Sequence, residues 1–194
     1  MSRLSSVDLR LAAHAAGLAA LAWMSADFVL HFGDYAPNRT LMLRSGAVGL
    51  FLLVASFACS PLARLSGVAD IMRMRRAFGL YAFGFAGLHL FVYLWLDNDF
   101  ALDLVLRDLD ERRAMAIGLA AFSLLIPLAI TSTKGWQRRL GRSWRSVHRL
   151  IYIALPLSVW HYLWLDRDFL TAPLIAAVAV AILFALRLAH RRQA

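Results

Sequence analysis

Six apolar runs, each about as long as a membrane span, constrain this chain more than any other feature. The hydrocarbon core of a bilayer is about 30 Å thick, and a helix crosses it with about 20 mostly apolar residues. The runs cover about 9–30, 45–65, 77–96, 114–131, 146–165 and 170–189. What remains of the 194 residues makes short connections only. Residues 1–194 therefore read as one all-α, polytopic membrane domain, a six-transmembrane-helix bundle without a second soluble domain. Composition agrees. Hydrophobic residues make up 61% and charged residues 17%, against about 45–50% and about 25% in a soluble domain.

The charges lie between the runs and alternate in balance. Arg3, Asp8 and Arg10 lie at the start of the first run; Arg64, Asp70, Arg73, Arg75 and Arg76 lie at and after the end of the second. Lys134, Arg138, Arg139, Arg142, Arg145 and Arg149 follow the fourth, and Arg187, Arg191 and Arg192 close the chain. These four groups sum to +13, and the three intervening connections to −4, giving the chain its net +9. Lys and Arg stay on the cytoplasmic side of a membrane. Both termini are expected in the cytoplasm, as an even number of spans requires. The positive balance then reflects sidedness and contact with anionic lipid, and no nucleic-acid partner is implied. The basic, alanine-rich start resembles a signal peptide. Its removal would leave five spans and break the alternation, so the first run is expected to be retained. The third connection, 101–113, mixes leucines with acids. It reads as a short interfacial helix or as a solvated acidic loop. No internal repeat is visible. The lone cysteine, Cys59, sits in an apolar run and is expected to be a buried, inert thiol.

Six histidines carry the chemical information: His14, His31, His89, His148, His161 and His190. His31 and His190 fall at span ends, where a histidine needs no special role. His14, His89, His148 and His161 lie within spans, and ionisable side chains there mark functional sites by default. At 1.5 Å per residue His89 lies ~18 Å into the third run and His161 ~22 Å into the fifth. Two imidazoles at similar depth on different helices can hold a haem iron from both sides, and iron so ligated carries electrons rather than binding oxygen. His148 lies near the opposite end of the fifth run, with His14 and then His190 as its candidate partners. An ideal helix sets His148 and His161 about 140° apart, although Pro156 between them can kink the run.

Several blocks resemble a known family. They are Asn38-Arg39-Thr40, Ser60-Pro61-Leu62-Ala63-Arg64, and Arg75 through Leu80 leading to Leu88-His89-Leu90 and Tyr93. They continue with Thr131-Ser132-Thr133, Gln137 through Gly141, Trp144, His148, Tyr152 and His161 through Trp164. Over nearly its whole length the chain resembles the MsrQ (YedZ) family, haem-binding membrane subunits of the periplasmic methionine sulfoxide reductase system. That family lies in the ferric-reductase-like transmembrane superfamily. The resemblance implies a six-helix bundle of the bacterial inner membrane that binds haem b, with one or two haems and also FMN associated with the family. It implies His89, His148 and His161 as haem ligands. It implies electron delivery to a periplasmic molybdenum-cofactor reductase of the MsrP type, for repair of oxidised envelope proteins. Asn38 stands where the family has glycine, and the tail after Arg187 is short.

Arg75, Arg76 and Arg149 are candidate contacts for haem propionates or a flavin phosphate, against the plainer reading of topology and lipid. Trp136, Trp144, Trp160 and Trp164 read as interfacial anchors. No nicotinamide or phosphate-loop fingerprint is present, so the expected donor is quinol or a cytoplasmic flavin reductase. The reading is an electron-transfer subunit, not the catalytic one. A ferric or superoxide-type reductase shares the scaffold. A small transporter is the remaining alternative, and the spans lack the midplane acids such proteins use.

Overall fold

The computed structural model describes residues 6–33, 35–165 and 171–191. Arg3, Asp34, Arg192, the connection holding Asp166, Arg167 and Asp168, and the side chain of His190 lie outside the described residues. The described residues contain helices and no strand. Two compact units emerge, residues 1–100 with 186–194, and residues 101–185.

In the first unit α1 (Ser6–Leu30), α2 (Pro37–Ser66) and α3 (Met74–Val92) pack together, with α2 against α3 the main contact. Pro37 occupies the first turn of α2, where its missing N–H costs nothing. Gly67 ends α2 in the left-handed conformation (φ 71°), the usual stop for a helix. A 3-10 turn, Ala69–Arg73, leads into α3. A wider π turn, Tyr93–Asp97, closes α3 four residues beyond His89, and the Asn98 side chain caps the Tyr93 carbonyl (2.9 Å). Asp27 on α1 forms an ion pair with Arg44 on α2. Cys59 is buried and donates to the Ala55 carbonyl (3.3 Å), as a small apolar side chain would sit.

In the second unit the short α4 (Leu102–Glu111) adjoins α5 (Arg113–Ile130). The third connection is thus helical. Leu102 and Leu106 are exposed, and Arg107 pairs with Glu111 (2.8 Å). Helices α6 (Lys134–Leu140) and α7 (Ser143–Val147) follow, then a 3-10 turn, His148–Leu150, and α8 (Ile151–Leu165), which packs along α5. The last helix, α9 (Thr171–Arg191), runs from this unit into the first.

Five helices are long and apolar enough to cross a membrane: Asp8–Leu30, Pro37–Ser66, Ala69–Asp97, Arg113–Ile130 and Thr171–Ala189. They match five of the six runs. The remaining run, 146–165, is split by the 3-10 turn, which leaves α8 with 15 residues, or ~22 Å of helix.

One polar group is treated differently by structure and sequence. Arg187 reads in sequence as a terminal charge, yet it is 8% exposed. Pro61 lies inside α2 and has no N–H for the carbonyl four residues earlier, which is Phe57. Arg187 Nη2–H donates to that carbonyl at 2.7 Å, and the guanidinium lies 3.6 Å from the Phe57 ring centroid. The arginine supplies the hydrogen bond that the proline withholds, and this contact ties the end of α9 to α2. Losing a hydrogen bond from a charged donor costs about 1.5–3 kcal/mol. Arg187→Ala should lower stability by about that amount in detergent unfolding. In a Pro61→Ala background the penalty should shrink, because residue 61 then serves the Phe57 carbonyl itself. An undiminished penalty would refute the assignment.

Candidate functional site

His89 and His161 are held by the same device in the two units. His89, near the end of α3, donates Nδ1–H to the Met42 carbonyl of α2 at 2.8 Å. The Ser45 hydroxyl converges on the same carbonyl (2.9 Å). His161, near the end of α8, donates Nδ1–H to the Ala114 carbonyl of α5 at 2.7 Å. A carbonyl only accepts, so each contact puts the proton of the neutral ring on Nδ1 and the lone pair on Nε2. Histidines that ligate metals commonly carry this arrangement: the second nitrogen bonds a carbonyl, which fixes tautomer and ring direction and raises ligand basicity.

The likeness extends through the hairpins. Each pair runs antiparallel, and each histidine stands 47 positions after the carbonyl it bonds. Gly46 and Gly118, each four residues past that carbonyl, lie against the rings. The buried positions Gly49, Leu53, Cys59 and Ala82 of α2–α3 match the buried Ala121, Leu125, Thr131 and Ala154 of α5–α8. The α2–α3 hairpin and the α5–α8 hairpin are thus copies of one plan displaced by 72 positions. The sequence hides this repeat because few identities survive it. The visible signal was a Gly-to-His spacing of 43 occurring twice.

His148 is held otherwise. Thr131 Oγ1–H donates to the Pro127 carbonyl (2.6 Å), so its oxygen accepts from His148 Nε2–H at 3.2 Å. Trp144 lies over the ring, with centroids 4.0 Å apart, and its indole N–H donates to the Thr131 carbonyl (2.9 Å). The proton of His148 is therefore on Nε2, opposite to His89 and His161. Both His148 and His161 nonetheless turn toward α5. The 140° separation assumed an unbroken α-helix. Three residues of 3-10 geometry turn about 120° each instead of 100°, which brings the separation to about 80°. Repeat positions equivalent to Thr131 and His148 hold Cys59 and Arg76.

The other candidates are placed as follows. His14 lies on the exposed side of α1, with Nδ1 3.3 Å from the Tyr81 hydroxyl. His31 bonds the Asp27 carbonyl one turn earlier (2.9 Å), a local contact at a helix end. Arg75 is half-buried, and its carbonyl accepts from the Ser56 hydroxyl (2.8 Å). Arg76 and Arg149 are exposed. Trp160 stacks on Trp164 (5.8 Å between centroids).

Among the described residues no group of three or more His, Cys, Asp or Glu side chains is arranged to hold a bare metal ion. Imidazoles oriented singly suit a metal that brings its other ligands with it. Haem iron, with four ring nitrogens, is such a metal, and the residues present fit it.

Comparison with known proteins agrees. The family described as "Ferric reductase like transmembrane component" matches residues 45–159. The protein-methionine-sulfoxide reductase heme-binding subunit MsrQ of Xanthomonas campestris pv. campestris (strain 8004) is 38% identical over 98% of this chain and 90% of its own length. The MsrQ subunit of Rhodospirillum rubrum is 40% identical over 92% of this chain and 86% of its own. That of Xanthomonas axonopodis pv. citri is 38% identical over 94% and 87%. No solved structure matches. Apolar helices, paired histidine hairpins and these relatives lead to one conclusion: the chain belongs to the MsrQ family of ferric-reductase-like transmembrane components.

Proposed function

We propose that this protein is a haem b electron-transfer subunit of the bacterial inner membrane. In this reading it passes electrons to a periplasmic, molybdenum-cofactor methionine sulfoxide reductase of the MsrP type. The observation that carries the proposal is the twinned anchoring of His89 and His161 by Nδ1. His89 and His161 would hold the haem iron, each through the Nε2 lone pair that its Nδ1 contact leaves available for ligation. Bound haem supplies one-electron exchange, and two histidine ligands leave its iron no open position for oxygen or substrate. The protein residues hold and orient; none is assigned a bond-making step. The relatives, which are heme-binding subunits, support the same reading.

His148 is the third candidate ligand. Ligation through Nε2 requires it to move its proton to Nδ1 and give up the Thr131 bond, so its contribution to haem retention is the smallest of the three. His14, bonded to Tyr81, is its proposed partner at any second haem. Arg75, Arg76 and Arg149 hold propionates or, where FMN binds, its phosphate. The donor is quinol or a cytoplasmic flavin reductase. The whole chain acts as one domain with six spans, the sixth being α8 with the turn before it. Both termini are cytoplasmic, as the charge alternation requires.

Two measurements test this. Purified wild-type protein should show a Soret band and low-spin iron. His89→Ala and His161→Ala should each lose most of the haem, while His148→Ala keeps more than either. Full haem content in both of the first two variants would end the proposal. For the topology, a fluorescent protein fused to either terminus should glow and alkaline phosphatase fused there should stay inactive. An active phosphatase at either end would reverse the assignment.

A further inference from the structure

Gly46 and Gly118 occupy equivalent places in the two hairpins, four residues past the carbonyls that bond His89 and His161. A Cβ on Gly46 would stand 2.9 Å from His89 Nδ1 and 3.1 Å from its Cε1. A Cβ on Gly118 would stand 2.7 Å from both Nδ1 and Cε1 of His161. Real Cβ atoms essentially never come within 3.0 Å of such neighbours. Neither ring can turn away without losing its bond to Met42 or Ala114, because the donating Nδ1 is itself among the atoms nearest the missing Cβ. The alternative, moving one helix off the other, would lengthen the same bond.

A glycine inside a helix is otherwise a poor choice, since it weakens the element without filling space. Other helical glycines here are not explained this way. Gly84, on α3, faces open space, and a Cβ at Gly49 would meet only α3 backbone and Phe85, 3.2 Å from the Ala86 nitrogen at the closest. Histidine contact is confined to the two glycines that share a repeat position.

We infer that Gly46 and Gly118 are positioning residues for the two histidine ligands. Their bare Cα lets each ring lie flat enough on the neighbouring helix to reach its carbonyl, and this contact fixes the direction of Nε2. The inference rests on the reading of His89 and His161 as haem ligands. It adds residues that touch neither iron nor electron donor but set ligand geometry from behind.

The experiment compares full-length Gly46→Ala, Gly118→Ala, Gly49→Ala and Gly84→Ala with wild type and with His89→Ala and His161→Ala. Readouts are haem per chain, the optical spectrum, and low-temperature electron paramagnetic resonance of the ferric iron. Loss of an outer contact to a ligating histidine lowers metal affinity by roughly 10–100-fold. Gly46→Ala and Gly118→Ala should weaken haem binding by roughly that factor, and retained haem should show shifted low-spin g-values or high-spin iron. Added imidazole, which replaces a misdirected ligand, should restore the low-spin spectrum. Gly84→Ala should match wild type. Gly49→Ala, which presses α2 on α3 without touching His89, should keep the wild-type spectrum.

Haem retained by both histidine variants would bring down the ligand reading, and this inference with it. Haem lost from both histidine variants but unchanged in content and spectrum in both glycine variants would overturn this inference alone. The same holds if Gly49→Ala reproduces the Gly46→Ala spectrum, since helix spacing would then be the cause. It holds again if both alanine variants give no monodisperse protein while Gly49→Ala does, since ring placement alone leaves the fold standing.

Discussion

A polar group inside an apolar bundle finds no water, so the chain itself must satisfy it. That constraint organises much of what this structure does with its few interior polar atoms. Pro61 leaves the Phe57 carbonyl without its helical donor, and Arg187 arrives from α9 to supply one. Thr131 turns its hydroxyl onto the Pro127 carbonyl and thereby becomes an acceptor for His148. His89 and His161 send Nδ1–H to helix carbonyls on α2 and α5. In each case a helix backbone oxygen is the fixed point, and the side chain takes its orientation from it. For the two histidines this has a chemical consequence. The bond that satisfies a half-buried donor also decides which nitrogen keeps the lone pair.

Reaching a helix carbonyl with an imidazole requires that the two helices lie close and that nothing stands between. Glycine meets both demands. The recurrence of glycine, carbonyl and histidine at the same spacings in α2–α3 and α5–α8 shows one solution used twice within a chain. The buried positions follow the same register, with Ala82 and Ala154 at 1% and 0% exposure in matching places. Small side chains there permit the approach that the ring contact needs.

Much of this was legible in the sequence, for physical reasons. Span length is set by bilayer thickness, so five runs matched five helices, to within a few residues except at two starts: α2 begins eight residues early at Pro37, and the third span begins eight early at Ala69 with its 3-10 turn. The histidines stood out because an ionisable residue in an apolar run is costly. Three things were hidden. The 3-10 turn at His148–Leu150 leaves no compositional mark, and it both shortens α8 and changes which face His148 presents. The role of Arg187 depends on a proline 126 positions earlier in the chain, a contact no local pattern encodes. The repeat is hidden because the device uses backbone carbonyls, and any residue type provides one: Met42 in one copy and Ala114 in the other.

The repeat also bears on why three histidines should not be treated alike. Residue type and an apolar setting alone group them as intramembrane imidazoles. Proton placement separates them, with Nδ1–H in His89 and His161 but Nε2–H in His148. The two hairpins agree where the first pair sits and differ where His148 sits, since Cys59 and Arg76 replace Thr131 and His148. Arginine has no lone pair to offer, so the α2–α3 hairpin has no imidazole at the position that matches His148. A function that needs two like-prepared imidazoles therefore finds them only at the Gly46–His89 and Gly118–His161 contacts among the described residues.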